Sequence, residues 1–452
     1  MVHFRWLRAA LAAAAIFSVV PAQAGPAGWT LLHEQDASAS QVSLHWVVRS
    51  GSLNDPLDRP GLAHFTARAL FRGTTTRPHA DLTQALQALS AVVEIEPHHE
   101  FTKFLFTFPA NRLDPFLHLM RDVFSNPEFD PAEINLLRSE LLAESRAIQQ
   151  DAPRLVSRVA LREFYSGTTA QSAPEGEVSG LARLSAADVR RFYFEHYGIS
   201  NFVLAMVSPL DEAVVRAKLA QLLGSVPDVT SQPLQLPAPT ATGVSAVVVS
   251  DSAALDMPFQ LLLPGVAAGD AERIGLEVAN RVFGVGPDSR LAQFAPNLNG
   301  WLTWATSGFA QLVPTSGGVG PYSVTGSAAP RYISDVVPAT VDLFRWFVDG
   351  GLSDHEFLQA RDETLAAAPA LTSSPAGRRD ERLDSLLSGR PLLDVPGWQS
   401  ELSRWSAKTV SASMKARLFL HPVVLVVLGD PAQLVPMLQS IPGMGSVRVI
   451  PR

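Results

Sequence analysis

Three side chains carry the types needed for a metal or ion-pair site: His64 and Arg68, four residues apart, and Glu144. An imidazole and a carboxylate are common metal ligands, whereas a guanidinium stays protonated and cannot bind a cation. A guanidinium instead forms paired hydrogen bonds with a carboxylate. One imidazole and one carboxylate fall short of the three protein ligands that catalytic zinc needs. These residue types by themselves allow an ion pair and fall short of a catalytic zinc site.

Two predicted helices carry these side chains. The first covers residues 61–71, and the second runs from 131 to about 150, with Asp130 as N-cap and Pro131 at the first helical position. Residues 42–49 nearly alternate apolar and polar side chains, which predicts a strand. Because strands and helices are interleaved, the class is α/β or α+β, with a helix-covered sheet in each half.

Composition indicates a folded chain of two large halves. The chain has 452 residues, 47% of them hydrophobic and 17% charged, which allows a sizeable core. Cysteine is absent, so disulfides, Cys-ligated metals and thiol catalysis are excluded. No stretch after the N-terminus is long and apolar enough to predict a membrane span.

The first 24 residues have the layout of a secretory signal peptide. Arg5 and Arg8 precede an apolar run over residues 9–20, and Ala22-Gln23-Ala24 forms a small-residue cleavage site. Cleavage near Ala24 would leave 34 basic and 43 acidic residues, a formal charge of −9. We therefore expect a periplasmic or otherwise secreted protein and no nucleic acid partner.

The remaining chain divides at residues 227–243, a Pro-rich segment with almost no charge that predicts an extended linker. This gives domains at 25–226 and 244–452. Near the end of each domain, at 201–207 and 422–428, a buried strand is followed by a turn and a helix. The repetition indicates one module used twice.

The stretch Pro60-Gly-Leu-Ala-His64 to Gly73-Thr-Thr resembles the signature helix of the insulinase/pitrilysin peptidase family. In that family an inverted zinc motif, H-x-x-E-H, lies between G-L-A and F-x-G-T. Its two His side chains bind zinc and its Glu is the general base. By this resemblance His64 is the first ligand, Ala67 stands at the base and Arg68 at the second ligand.

The family takes its third zinc ligand from a Glu within a pattern that begins with F-x-P and ends near D-x-P. Phe129-Asp-Pro131 and Asp151-Ala-Pro153 frame that pattern here, and Glu144 falls at the ligand position. The resemblance thus implies a remnant of a zinc site, with no catalytic residues, no bound zinc and no other cofactor. We predict that Arg68 takes the place of the cation and forms a partly buried pair with Glu144. The alternative is that Arg68 faces solvent and Glu144 is an ordinary charge on a helix.

The resemblance continues in the second half, where residues 280–291 look like the family's N-x-hydrophobic-G-x-G…S-R-L stretch. The family then carries an Arg and, seven residues later, a Tyr that hold the substrate. Aligned without gaps, these positions are Pro296 and Thr303, so both groups are lost. A shift of one residue gives Asn297 and Trp304, which restores neither. The motif Gly284-x-Gly286 is only a weak indication of nucleotide binding, because it lies at the end of a predicted helix, whereas nucleotide-binding glycine motifs precede one.

Two other sites are weaker. His98, His99 and Glu100 suggest a replacement metal site, but adjacent strand residues point to opposite faces, and we expect surface or strand-edge histidines there. The G-x-S-x-G motif of serine hydrolases does not occur.

The resemblance implies two homologous α+β domains, each a mostly antiparallel sheet covered by helices, closed like a clamshell. We expect a non-catalytic subunit that pairs with an active insulinase-type peptidase. The alternative is a stand-alone protein that binds extended peptides along a strand over residues 91–96, which Pro97 would cap. A third possibility, an active zinc endopeptidase, requires an atypical site.

Overall fold

The computed structural model describes residues 23–24, 28–229, 232, 234–297, 302–309, 318–418 and 420–452. The predicted signal peptide therefore lies almost wholly outside the described residues, as do three positions of the predicted linker. The described part of the chain contains no helix that is both long and apolar enough to cross a membrane.

The first half places six strands in one sheet, in the order β1-β2-β8-β3-β7-β6, with a small β4-β5 hairpin beside it. Its strands are β1 Gln23–Ala24, β2 Thr30–Gln35, β3 Gln41–Val48, β4 Gly73–Thr74, β5 Arg77–Pro78, β6 Val92–Pro97, β7 Thr102–Pro109 and β8 Phe202–Ser208. Its helices are α1 Leu62–Ala69, α2 His79–Ala88, α3 Leu113–Ser125, α4 Pro131–Gln150, α5 Ala152–Phe164, α6 Val178–Leu181, α7 Ala186–His196 and α8 Glu212–Leu223.

The second half builds a six-stranded sheet in the order β11-β12-β10-β13-β9-β14. Its strands are β9 Val244–Ser250, β10 Met257–Pro264, β11 Leu302–Phe309, β12 Pro321–Ala328, β13 Val423–Gly429 and β14 Ser446–Pro451. Its helices are α9 Arg273–Gly284, α10 Arg290–Asn297, α11 Ile333–Gly350, α12 Asp354–Thr372, α13 Pro375–Ser388, α14 Val395–Ser403, α15 Ala407–Arg417 and α16 Pro431–Ser440.

The two sheets share one topology. In each, a parallel pair, β2 with β8 and β9 with β13, is followed by three antiparallel neighbours in the same order. The strands predicted near the end of each half are β8 and β13, at equivalent positions. The predicted repeat and the predicted α+β class of two mostly antiparallel, helix-covered sheets are confirmed.

One face of each sheet is covered by helices of its own half. In the first half Trp46 of β3 stacks on Phe124 of α3 with ring centroids 4.2 Å apart, inside a core that also includes residues of α1, α7 and α8. The matching core of the second half is formed with α9, α11, α15 and α16. This burial follows from the alternating apolar residues of the strands.

The opposite faces are covered by exchange between the halves. Helix α5 packs its apolar residues against β9, β10 and β13 of the second sheet. Helix α13 packs Leu383 and Leu387 against β2, β3 and β8 of the first sheet. Two Arg side chains of α13, Arg378 and Arg382, each lie 2.9 Å from the carboxylate of Glu34 on β2. The halves are therefore fastened by apolar contact and by ion pairs.

Candidate functional site

Helix α1 is fixed in place at its N-terminus by a buried carboxylate. Asp55 accepts hydrogen bonds from the backbone N–H groups of Gly61 at 2.6 Å and Ala63 at 2.8 Å. Burial raises the pKa of Asp55 to about 7, against the opposing effect of these backbone hydrogen bonds. Gly61 has φ +100°, and a Cβ there would lie 2.7 Å from the Cα of Gly176. This close approach requires glycine and brings the loop carrying Glu175 against α1.

His64 is held by that loop. Its Nδ1 lies 3.2 Å from the backbone carbonyl oxygen of Glu175, and the residue is only 6% exposed. A carbonyl can only accept, so Nδ1 donates and Nε2 keeps its lone pair. Burial lowers the pKa of His64, and the nearby Arg68 lowers it further. His64 is therefore a neutral imidazole at neutral pH.

Arg68 and Glu144 join α1 to α4, as predicted. Each of the two guanidinium Nη atoms of Arg68 donates to one carboxylate oxygen of Glu144, both at 3.3 Å. Arg72 and Glu140 form a parallel second pair one helical turn away. The Arg68 side chain is 28% exposed, as expected for a partly buried pair. The Glu144 side chain is 52% exposed, which is more than the sequence predicts for its partner.

Ala67, which the resemblance places at the general-base position, is fully buried and belongs to the apolar core of the first half. Of the positions that the resemblance assigns to zinc ligands, those that keep a metal-binding side chain are His64 and Glu144, with the guanidinium of Arg68 beside them. A permanent cation that cannot ligate a metal would repel a dication. These residues do not fit a zinc ion. Among the described residues no group of three His, Asp or Glu side chains could hold a metal.

The replacement metal site suggested by His98, His99 and Glu100 does not form, because each of the three side chains contacts a different part of the chain. His98 stacks on Phe101, and Nε2 of His99 lies 3.3 Å from the carbonyl oxygen of Ala170. A carboxylate oxygen of Glu100 accepts from the backbone N–H of Leu236. His99 is buried, so the expected surface position is wrong for this histidine; Glu100 is buried as well. Burial lowers the pKa of His99 to about 4. Its role is structural, since it ties its loop to the one carrying Ala170.

The two positions that the resemblance assigns to substrate orientation in the second half fall on described backbone. Pro296 lies in α10 and Thr303 in β11, an edge strand whose pairing with β12 shifts register between Leu302 and Trp304. The side chains of both residues lie outside the described part of the chain.

His64, Arg68 and Glu144 line one cavity of about 470 Å³, the site cavity. Ile95 and Pro97 of β6 line it as well, so this edge strand borders the site. The strand predicted over residues 91–96 is thus confirmed as β6 at the edge of the first sheet, closed by Pro97. A free edge of this kind can take an added strand.

A larger cavity of about 660 Å³, the central cavity, lies between the halves. It shares Pro97, Arg154, Arg158 and Glu175 with the site cavity and reaches β10, β11 and β12 of the second sheet. The sequence alone does not indicate Arg158, Glu175 or Gln260 as site residues. The one available signal is that Arg154, Arg158 and Arg162 recur at every fourth residue of α5, which places a basic stripe on one face of the helix.

Comparison with known proteins relates both halves to one family. Residues 30–176 match the model of insulinase, peptidase family M16, and residues 183–364 match the model of the peptidase M16 inactive domain. An uncharacterized zinc protease of Streptomyces coelicolor is 24% identical over 344 residues, 74% of this chain and 73% of that protein.

Two further relatives extend the comparison. A probable mitochondrial-processing peptidase subunit beta of Arabidopsis thaliana is 21% identical over 57% of this chain and 49% of its own length. The crystal structure of a peptidase M16 inactive domain from Pseudomonas fluorescens superposes with a TM-score of 0.80 at 18% identity. The superposition covers 90% of this chain and 97% of that one, which shows a shared fold.

Proposed function

Since the chain belongs to the insulinase family of M16 peptidases, we propose that it is an exported, non-catalytic member that serves as the inactive subunit or peptide-binding partner of an active zinc peptidase. The observation that carries this proposal is the Arg68–Glu144 pair, with each guanidinium-to-carboxylate contact at 3.3 Å. By the resemblance, Arg68 and Glu144 hold two of the family's zinc-ligand positions, which supports the proposal. Ala67 supplies no proton acceptor where the family's general base would be.

A partner supplies what this chain lacks. The matched relative from Arabidopsis is by its name a peptidase subunit, which supports a role within an assembly. The inactive chain would contribute a wall of a closed chamber that limits access by shape, while the partner supplies zinc and the general base.

Co-purification tests the pairing. The tagged full-length chain is purified from its own cells at low salt, and the proteins retained with it are identified by mass spectrometry. We expect a chain with an intact H-x-x-E-H helix, and we expect the mixture to cleave a quenched peptide that this chain alone leaves intact. A purified chain that holds one zinc ion by elemental analysis and cleaves the peptide unaided would refute the proposal.

The β6 edge favours a second function, binding of extended peptides by strand addition without any partner. Val92 at its start is exposed, and the strand pairs only with β7 among the described residues. Main-chain hydrogen bonds would hold such a peptide. A peptide N-methylated at alternate amides cannot form them, so it should bind far more weakly than the unmodified one. Equal binding of the two peptides would exclude strand addition.

A further inference from the structure

Arg158 is a buried cation whose hydrogen-bonding capacity is incompletely used. It lies on α5 and is only 8% exposed. One guanidinium nitrogen, Nη1, donates to the hydroxyl of Ser145 at 3.4 Å. The other, Nη2, is 3.8 Å from a carboxylate oxygen of Glu175 and has no hydrogen-bond partner among the described residues. A buried guanidinium keeps its proton, so this unfilled donor carries a positive charge.

The central cavity has an excess of positive charge beside Arg158. Its fixed charges are the guanidiniums of Arg154 and Arg158 and the carboxylate of Glu175. Glu175 is shared between the two cations, at 3.3 Å from Arg154 and 3.8 Å from Arg158. His98, also on the wall, has its own carboxylate 3.8 Å away, that of Glu96. The charged side chains that line this cavity therefore leave one positive charge in excess, next to Glu177 outside the lining, which also acts on Arg158.

The adjoining site cavity adds Arg68, Glu144 and Asp151, so the charged side chains of the two cavities taken together balance. Arg68 and Glu144 neutralise each other there, and Asp151 at its rim accepts the N-cap hydrogen bond of α5 from the backbone N–H of Arg154. Asp151 thus faces the backbone amides at the start of α5.

The wall opposite Arg158 has no charged side chain and mixes polar residues with the apolar Leu262, Trp304 and Phe309. It is formed by the second sheet and includes Gln260 together with Thr306, Ser323 and Thr325. Gln260 lies on β10, is 9% exposed, and its Oε1 has no hydrogen-bond partner among the described residues. A buried amide oxygen without a partner costs free energy until a donor reaches it. A ligand that carries both an acceptor and an N–H group would complement the two walls.

We propose that the central cavity binds a peptide through a carboxylate held by Arg158, while Gln260 takes up a backbone N–H of the same peptide. This inference rests on the proposed function, because it states the chemistry of the peptide that the site would recognise. The carboxylate belongs either to an acidic side chain or to the C-terminus of the peptide.

Fluorescence anisotropy with labelled Ala/Thr/Val peptides tests it on the full chain at low salt. One peptide carries a central Glu and an amidated C-terminus, one carries Gln and a free C-terminus, and one carries Gln and an amidated C-terminus. Charge-assisted hydrogen bonds should make at least one carboxylate peptide bind roughly tenfold or more tightly than the uncharged one. The stronger of the two identifies the source of the carboxylate.

Variants locate the site. Arg158→Gln should abolish the preference for a carboxylate, and Arg158→Lys should keep only part of it, because a lysine lacks the planar fork. The matched control is Arg162→Gln, one turn along α5, where the guanidinium donates to Glu177 at 3.1 Å outside both cavities; it should bind as wild type does. Gln260→Leu should weaken binding of all three peptides if the variant folds as wild type does by circular dichroism.

The outcomes are separable from those of the proposed function. Equal affinity of charged and uncharged peptides, or an unchanged preference in folded Arg158→Gln, overturns this inference alone. Absence of binding by every peptide overturns it as well, and the subunit role then depends on co-purification with an active peptidase.

Discussion

The pair of Arg68 and Glu144 gives a prediction whose size follows from its exposure. Removing one member of a fully buried pair typically costs about 3–5 kcal/mol, whereas an exposed pair contributes about 0–1 kcal/mol. Glu144 is half exposed, and both contacts are 3.3 Å, longer than a strong charged hydrogen bond. The two contacts together fix the guanidinium on the carboxylate. We therefore expect a coupling free energy of about 0.5–1 kcal/mol.

The assay is a double-mutant cycle of Arg68→Met and Glu144→Gln, with the free energy of unfolding measured in urea. Arg68→Met combined with Glu140→Gln is the matched control, because Glu140 pairs with Arg72 instead. That mismatched cycle should give clearly weaker coupling. The coupling of the true pair should fall toward zero near 1 M NaCl, where the Debye length is about 3 Å.

Two results would refute this reasoning. A coupling indistinguishable from zero at low salt would mean that the two side chains are apart in solution. A coupling above about 3 kcal/mol that persists in high salt would mean that the pair is buried, in the way that a closed partner interface would bury it.

Three further outcomes follow from Arg68, Asp55 and Gln260. Arg68→His places a second imidazole beside His64 and Glu144, so elemental analysis should find far more zinc retained than in wild type; no gain would show that the three groups do not converge. Asp55 has a folded pKa raised to about 7, so its contribution to stability is complete below its unfolded pKa near 3.8 and is lost as pH rises to about 7. Wild type should lose stability over that range relative to Asp55→Asn, and parallel urea titrations would contradict the assignment. Gln260→Leu removes a buried unpartnered oxygen and should raise the free energy of unfolding by about 1 kcal/mol, measured in urea.

Much of the fold is local enough to be predicted from sequence. The Asp130 cap and Pro131 predict the start of α4 correctly, because capping depends on adjacent backbone N–H groups. The capping box of Ser353 and Glu356 likewise marks the start of α12. The pairing of Arg68 with Glu144 could be predicted because the two residues have opposite charges and stand at positions that the resemblance assigns to zinc ligands.

Other site residues depend on contacts that periodicity does not encode. Glu175 reaches His64 through a backbone carbonyl, which any residue type could supply. Arg158 and Gln260 meet at one cavity only because α5 crosses onto the sheet of the other half. Amphipathic patterning shows that a helix has a buried face and leaves open which sheet that face meets. For the same reason the burial of His99 was missed.

The exchange of α5 and α13 has a consequence for how such a chain could arise. A single module whose helix covers the sheet of a second module corresponds to a domain-swapped protomer. One face of its own sheet stays uncovered until the equivalent helix of a second copy packs against it. Residues 227–243 join two such protomers end to end, so one polypeptide holds what would otherwise be a two-fold dimer. Once joined, the copies no longer have to remain identical. Each copy could then change the residues of its own cavity independently, while the exchanged helices kept both halves folded.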